Sequence, residues 1–587
     1  MTEFSPAELA SIQALEKIRD CIDNNQCFRL EAGAGAGKTY SLIESIKYLV
    51  DKRAVDLMRR EQKIACITYT NVAKKEIKDR TDHHPVIFAD TIHAFCWSVL
   101  KDFQVKLREL VAGLSDKWTE RVKDFGGITT QLVKYELGFP SINEREVSLH
   151  HDDVVALMAR MLLYPKFQSL LKSKYPIVFI DEYQDTDIDL AKSIVSNLID
   201  NMSGMLVGLF GDHWQKIYGS SACGLILSKM DKIVEIGKEA NFRSDKNIVH
   251  CLNRFRPDLP QAESDPESTG VIKVFHSNSW VGVRRDARGG GHWTGDLPAK
   301  NAKDYIDKIK ELMVAEGWDM SSKHTKILFL TNNLIATEQN FKNLADCFQY
   351  TDDYLKKADK YIQFFFDVIE PVASAYQRRE YGEVLQIVRK NRPELQRQED
   401  KKVWSGNLKR LIDSRNDSTI GGVLDLLDET KTPRFSPRVE HSEENFKLLR
   451  GRADEDLEPV DERILEKLKK MRGVNYREVI NLGQYIDEKT PFSTKHGVKG
   501  AEFDNVIVVC GRGWNHYNWD QMLEWMRDGC PQERLDTYER NRNLFYVSCS
   551  RAKHNLTLLF TQEISQKSIA VIEQIFGKGN MVGDPFN

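Results

Sequence analysis

Short, branched, apolar runs recur along the chain, each followed by a segment of helical periodicity. They are Phe28–Leu30, Ile64–Thr68, Ile177–Ile180, Met205–Phe210, Ile327–Leu330, Asn505–Val509 and Leu556–Phe560. Runs that are apolar at almost every position, not at alternate ones, are expected of parallel strands covered on both faces. Their alternation with amphipathic helices predicts an α/β protein whose ligand sites lie at the carboxyl ends of the strands. Two stretches differ. Residues near 97–165 and 346–480 carry mostly 3.6-residue patterns with dense charge, as in Ile464–Arg472 (ILEKLKKMR), and read as helical insertions. Arg284–Gly291 (RRDARGGG) reads as a mobile loop, since three consecutive glycines offer no side chain to anchor it.

The chain has 587 residues, 41% of them hydrophobic and 29% charged, enough apolar material for several cores. At roughly 100–200 residues per domain this length predicts about three to five units. Lys plus Arg number 84 against 87 Asp plus Glu, a net charge of −3. That balance excludes a protein that coats nucleic acid through bulk charge, so any such binding needs a local basic groove. The ten cysteines are scattered without a CxxC pair and read as reduced thiols of a cytoplasmic protein. No signal segment opens the sequence and no apolar run nears the ~20 residues a bilayer requires, so no membrane role is expected.

The strongest local chemistry is Ala32-Gly33-Ala34-Gly35-Ala36-Gly37-Lys38-Thr39, between a strand-like run and a helical segment, Ser41–Val50. A glycine-rich turn at that junction turns backbone N–H groups toward phosphate oxygens, and the helix N-terminus adds positive potential. Lys38 is placed to reach the β- and γ-phosphates of ATP, and the Thr39 hydroxyl to ligate Mg²⁺. The strict GxxxxGK(S/T) pattern is broken at its first position, Ala32. A second signal is Ile177–Ile180 followed by Asp181-Glu182-Tyr183-Gln184-Asp185. Two adjacent carboxylates after an apolar strand suit a nucleotide–metal site: Asp181 orients Mg²⁺, and Glu182 accepts a proton from the attacking water.

Seven motifs follow the phosphate loop in order, the Asp181–Asp185 segment among them, and together they resemble superfamily 1 helicases of the UvrD/Rep/PcrA type. ITYTNVAKKEI (Ile67–Ile77) is similar to that family's TFTNKAA, DTIHAF (Asp90–Phe95) to TxHSF, and DEYQD (Asp181–Asp185) to DExxD. GDHWQKIY (Gly211–Tyr218) is similar to GDxxQSIY, NFRS (Asn241–Ser244) to NYRS, TKHGVKGAEF (Thr494–Phe503) to TxHxAKGLEF, and YVSCSRAK (Tyr546–Lys553) to YVAxTRAK. The resemblance implies two RecA-like parallel-sheet lobes, each carrying a mostly helical insertion. The expected divisions are 1–96 and 165–245 for lobe 1 around an insertion at 97–164, and 246–345 and 481–587 for lobe 2 around one at 346–480. It also implies roles. Gln13 reads adenine, Phe242 stacks on it, Arg243 and Arg551 reach the γ-phosphate, Gln215 links phosphate status to DNA grip, and Glu502 meets the ribose or braces the cleft.

For the nucleic-acid track the resemblance offers Tyr69, Thr70, Asn71, Thr91, His93, Phe95, Tyr218, Thr494, His496 and Lys499, aromatic platforms interleaved with phosphate donors. Here the chain departs from the family. After Ile217-Tyr218 the aromatic and Arg-Gly-Ala of relatives are replaced by Gly219-Ser220-Ser221-Ala222, and Asn541 stands where many have an acid. Trp214 is the nearest ring that could compensate. Two readings stand. One is an ATP-dependent 3′→5′ translocase or helicase on single-stranded or tailed duplex DNA. The other is an ATP-gated nucleic-acid sensor that regulates a partner nuclease, as implied by the helicase-like subunits of Gabija anti-phage systems. A small-molecule P-loop kinase explains neither arginine motif.

Overall fold

A computed structural model describes residues 4–135, 140–201, 203–217, 221–286, 294–329, 332–388, 397–452, 458–487, 490–494, 500–511 and 517–586. Tyr218, His496, Lys499 and most of the Arg284–Gly291 segment lie outside them. The chain divides into two compact units, residues 1–297 with 495–587, and 298–494.

The first unit is built on two parallel sheets. Its amino-terminal sheet contains β1 (Phe28–Ala32), β2 (Ile64–Thr68), β3 (Ile87–Thr91), β4 (Ile177–Asp181), β5 (Leu206–Gly211) and β6 (Val234–Lys238), ordered β3-β2-β4-β5-β1-β6. Every pairing is parallel. The central strands β2, β4 and β5 are buried along their whole length, which is why they read as unbroken apolar runs. Across this sheet Phe28, Phe179 and Phe210 meet edge to face at 5.3–5.9 Å. Gly208 makes that possible, since a Cβ there would stand 2.7 Å from both Phe28 and Phe179.

Helices α1 (Pro6–Asp23), α2 (Lys38–Arg59), α3 (Asn71–Arg80) and α4 (Ile92–Leu100) belong to this lobe. A capping box closes the start of α1, where Ser5 and Glu8 satisfy each other's backbone N–H groups. The second sheet of the unit holds β7 (Val271–His276), β8 (Phe503–Cys510), β9 (Ala552–Phe560) and β10 (Met581–Gly583), ordered β8-β9-β7-β10 and again parallel. Helix α5 (Leu535–Cys549) runs into β9. The stretch 97–165, expected to be mostly helical, also contains three small strands, Leu132–Tyr135, Ser141–Ile142 and Glu146–Leu149. They are too short for a period to show in sequence.

The second unit is almost wholly helical among the described residues, apart from a parallel pair, Thr325–Phe329 with Phe492–Thr494. Ion pairs tie its helices: Arg472 joins Glu443 inside and the exposed Asp425 at the surface, and Arg415 joins Glu370, which also accepts from the Tyr476 hydroxyl. No single described helix is long and apolar enough to cross a membrane. All ten cysteines are free thiols.

Candidate functional site

The turn between β1 and α2 is shaped by its glycines. Gly35 and Gly37 hold φ of 75° and 74°, the left-handed region that costs other residues steric strain. Gly37 is also the N-cap of α2, so no side chain closes the first N–H groups of that helix, and they remain directed at the loop. Ala32, Ala34 and Ala36 are buried beneath it. Lys38 lies half-buried with Nζ 3.3 Å from the Ala32 carbonyl, and Thr39 is half-buried in the first turn.

Three side chains outside the loop fix it. The Asn241 and Gln261 amides both donate to the Ala34 carbonyl at 3.2 Å, and the Tyr546 hydroxyl accepts from Ala34 N at 3.3 Å. Asn241 Oδ1 also accepts from the backbone N–H groups of Arg243 and Ser244, so NFRS folds around its own first residue. Gln261, Asn241 and Tyr546 were not assigned roles from sequence, although two of them lie inside recognised motifs.

At the end of β4 the Asp181 carboxylate is buried and accepts from Glu182 N at 3.1 Å. Glu182 itself has φ 49° and ψ 44°, a left-handed backbone that an ordinary residue adopts at a cost of roughly 1–3 kcal/mol. A backbone of this kind persists only where its surroundings fix it. Gln184 Nε2 donates to Glu182 Oε2 at 2.5 Å, while Gln184 Oε1 accepts from Asp212 N at 3.0 Å.

Asp212 is the hub of the next layer. It accepts from Gln215 Nε2 at 2.8 Å and Trp214 N at 3.0 Å, and it pairs with Arg256 Nη1 at 2.6 Å. Burial pushes the Asp212 carboxyl up, but Arg256, with Lys38 and Gln215, outweighs it and leaves it below the usual carboxylate range. Arg256, another residue missed in sequence, lies over the Trp214 ring at 5.1 Å and the Tyr546 ring at 5.7 Å. Arg542 covers Trp214 from 3.9 Å. Trp214 therefore sits in the core between two guanidinium groups, with Phe255 and Tyr546 against its edges, and offers no face to a nucleic acid. It does not replace the aromatic missing after Tyr218.

The two motif arginines converge from the other side. Arg243 donates to Glu502 at 3.1 Å and to the Ser550 carbonyl at 3.0 Å. Glu502 also pairs with Lys553 at 3.0 Å, so it is spent as a brace between two cations. Arg551 is buried and donates to Val547 O, Ala501 O and Ser550 Oγ, all uncharged. Burial, then Arg243, pushes its guanidinium down against the pull of Glu182. Phe242 exposes 42% of its surface, as a stacking ring must, and Tyr40, also exposed, flanks Gly37 with it. Gln13 stands on the exposed face of α1.

Several expected nucleic-acid contacts fare differently. Thr70 caps α3, accepting from Ala73 N at 3.1 Å, Asn71 opens that helix, and Thr91 precedes α4. The Tyr69 ring is half-buried and its hydroxyl donates to Thr186 at 2.7 Å. His93 is half-buried, with its ring 4.8 Å from that of His151. Phe95 is a correction: it is 3% exposed, packed against Phe88 and Tyr175 in the lobe core, and cannot meet a base. Thr494 ends the short strand of the second unit.

Glu31, Asp212 and His213 bring ligand atoms within 4.8 Å of one another. Arg256 already neutralises Asp212, and Glu31 is held by Arg29 and the Tyr183 hydroxyl, so this group reads as structural. Thr39 and Asp181, by contrast, offer the hard oxygen donors that suit Mg²⁺ beside a nucleotide.

Comparison with known proteins agrees with this geometry. A family described as an AAA domain matches residues 16–221, and one described as a UvrD-like helicase C-terminal domain matches 329–563. The chain is similar to the Gabija protein GajB of Bacillus cereus, with 24% identity covering 96% of this chain and 97% of that protein. It is also similar to the ATP-dependent DNA helicase PcrA of Staphylococcus epidermidis, 27% identical over 51% of this chain and 45% of PcrA. PcrA of Staphylococcus aureus is 26% identical over 38% of this chain and 37% of its own length. The chain thus spans under half of the PcrA relatives it matches.

Proposed function

This chain belongs to the UvrD-like superfamily 1 helicases, a family of ATP-hydrolysing proteins, and we propose that it is an ATP-driven 3′→5′ translocase on single-stranded DNA. The observation that carries the proposal is the joining of phosphate loop and sensors in one network. Tyr546 and Asn241 hold Ala34, while Asp212 holds Gln215 and, through Gln184, is tied to Glu182. In this reading Lys38 and the N-terminus of α2 bind the phosphates, Glu182 takes the proton of the attacking water, and Arg243 and Arg551 neutralise charge on the transferred phosphoryl group. Thr39 and Asp181 would hold a Mg²⁺ ion, which would supply charge neutralisation to the phosphates. Phe242 stacks on the base, Gln13 reads it, and Glu502 braces the cleft. DNA runs over Tyr69, Thr70, Asn71, Thr91 and His93.

A second reading is favoured by one comparison. The similarity to GajB is end to end, whereas that to PcrA covers less than half of PcrA. In that reading ATP gates a nucleic-acid sensor, and the protein binds and regulates a partner nuclease in anti-phage defence while unwinding little itself. ATPase rate with and without single-stranded DNA, and strand displacement on a 3′-tailed duplex, test both. The translocase reading requires DNA-stimulated hydrolysis with strand displacement from 3′ tails but not 5′ tails. Stimulated hydrolysis without displacement favours the sensor, and hydrolysis indifferent to every nucleic acid sinks both.

A further inference from the structure

Lys238 ends β6, beside Ala32 on β1, with no surface exposed, and no carboxylate among the described residues pairs with it. Its Nζ donates to Ser41 Oγ at 2.8 Å and to the Gly37 carbonyl at 3.2 Å. It lies 5.5 Å from the ring centroid of Tyr40 and 5.8 Å from that of Phe242. Two of the three ammonium donors are therefore used, both on neutral acceptors of the phosphate loop and first turn of α2. Its surroundings are otherwise positive or already paired. Lys38 and the N-terminus of α2 are cationic. On β1, Glu31 faces Arg29 and His213, and Arg29 also pairs with Glu235. Arg243 is held by Glu502, Glu239 is exposed, and the buried face of α1 carries no charged residue.

A buried ammonium without a counter-charge is costly, and proteins retain one where a ligand supplies the opposite sign. We infer that Lys238 is a positioning residue of the nucleotide site: it holds the Gly37 carbonyl and the first turn of α2 from beneath, and the polyphosphate supplies the negative charge that no side chain provides. The inference rests on the nucleotide-site reading above. It has a consequence that simple packing does not. Burial, and then Lys38, lowers the ammonium to about pKa 8. A bound polyanion stabilises the charged form, so binding above that pH draws a proton from solution.

The test is calorimetric titration of the full chain with MgADP at pH 8.5, in two buffers of different ionisation enthalpy. The wild type takes up roughly half a proton or more per ADP, by the linkage of charge to binding. Lys238→Met loses the uptake and binds ADP about tenfold more weakly. Lys238→Arg keeps most of the affinity without uptake, because a guanidinium stays charged throughout. Ser41→Ala removes the 2.8 Å acceptor, keeps the charge, and moves the midpoint of uptake to lower pH. Equal uptake in wild type and Lys238→Met, or none in the wild type, overturns the inference while leaving the nucleotide site standing. Failure of the wild type to bind MgADP overturns both.

Discussion

Replacing Arg256 with methionine tests the electrostatic hub of the site. The pair it breaks is among the most enclosed in the molecule: Nη1 lies 2.6 Å from Asp212 Oδ1, with side chains 2% and 0% exposed. Removing one member of such a pair costs about 3–5 kcal/mol, mostly the penalty of leaving the other charge buried, against under about 1 kcal/mol for a surface pair. Methionine retains much of the apolar contact with Trp214 and Tyr546, so the loss reports charge more than volume. A chain of two units is not expected to unfold in one step, so the measurement is hydrogen exchange at amides of β5 and α5. At 1.4 kcal/mol per tenfold, the slowest of these exchange roughly two to three and a half powers of ten faster in the variant. Asp212→Asn alone costs a similar amount, and the double variant far less than the sum. The pH dependence has a definite sign. Asp212 is held below its unfolded value, so its contribution is present above about pH 4 and lost as pH falls through the folded value. Without Arg256, burial raises that carboxyl, and acid opening begins at higher pH. An exchange change under about fivefold, or single effects that simply add, would refute the buried-pair argument.

Lys38→Ala and Glu182→Gln each lower ATP turnover at least about 100-fold in a steady-state phosphate-release assay; full activity in either sinks the site assignment. Glu182→Gly relieves the left-handed strain but loosens the unfolded chain, so stability stays within about 1 kcal/mol while hydrolysis is lost. Phe242→Ala weakens ADP about tenfold, as loss of one stacking ring should, and leaves the melting temperature nearly unchanged because the ring is exposed. Trp214→Ala costs about 3–5 kcal/mol as a core truncation, whereas Trp214→Phe keeps single-stranded DNA affinity by fluorescence anisotropy. Lost affinity with intact stability would restore Trp214 as a base platform.

The central strands were legible because burial on both faces leaves no polar position to hide them. Ile87–Thr91 and Val234–Lys238 were missed for the converse reason. They are the two edges of the first sheet, and edge strands keep polar residues on their open side. Helix α2 begins at Lys38, three residues before its apolar pattern, because glycine and the phosphate loop, not a polar cap, start it. In the site, motif order located Lys38, Asp181, Glu182, Gln215, Arg243 and Arg551. Sequence could not show which groups restrain them. Lys238 and Arg256 fall in none of the recognised motifs. Only tertiary packing turns one into a buried brace and the other into the partner of Asp212. Phe95 shows the opposite error, a motif aromatic whose ring faces the core.

These restraints form a near-continuous path. Glu182 is held by Gln184, Gln184 binds the backbone of Asp212, and Asp212 holds Gln215 and Arg256. Arg256 lies over Tyr546, whose hydroxyl returns to Ala34 in the phosphate loop. A side chain that moves anywhere along this path leaves a buried donor or acceptor unmet, at about 1–3 kcal/mol each. That cost makes small independent motions unfavourable and favours two discrete arrangements of the whole path, the behaviour a nucleotide-driven motor requires. It equally suits a gate. The nucleotide chemistry therefore does not separate the translocase from the sensor, and the difference lies in the nucleic-acid track. There the chain lacks the aromatic–arginine pair after Tyr218, Trp214 is committed to the core, and Phe95 is buried. In the proposed reading the grip of the first unit comes from Tyr69, Thr70, Asn71, Thr91 and His93. With fewer stacking platforms each step holds the strand less firmly, so stimulation of hydrolysis by DNA should exceed strand displacement in proportion.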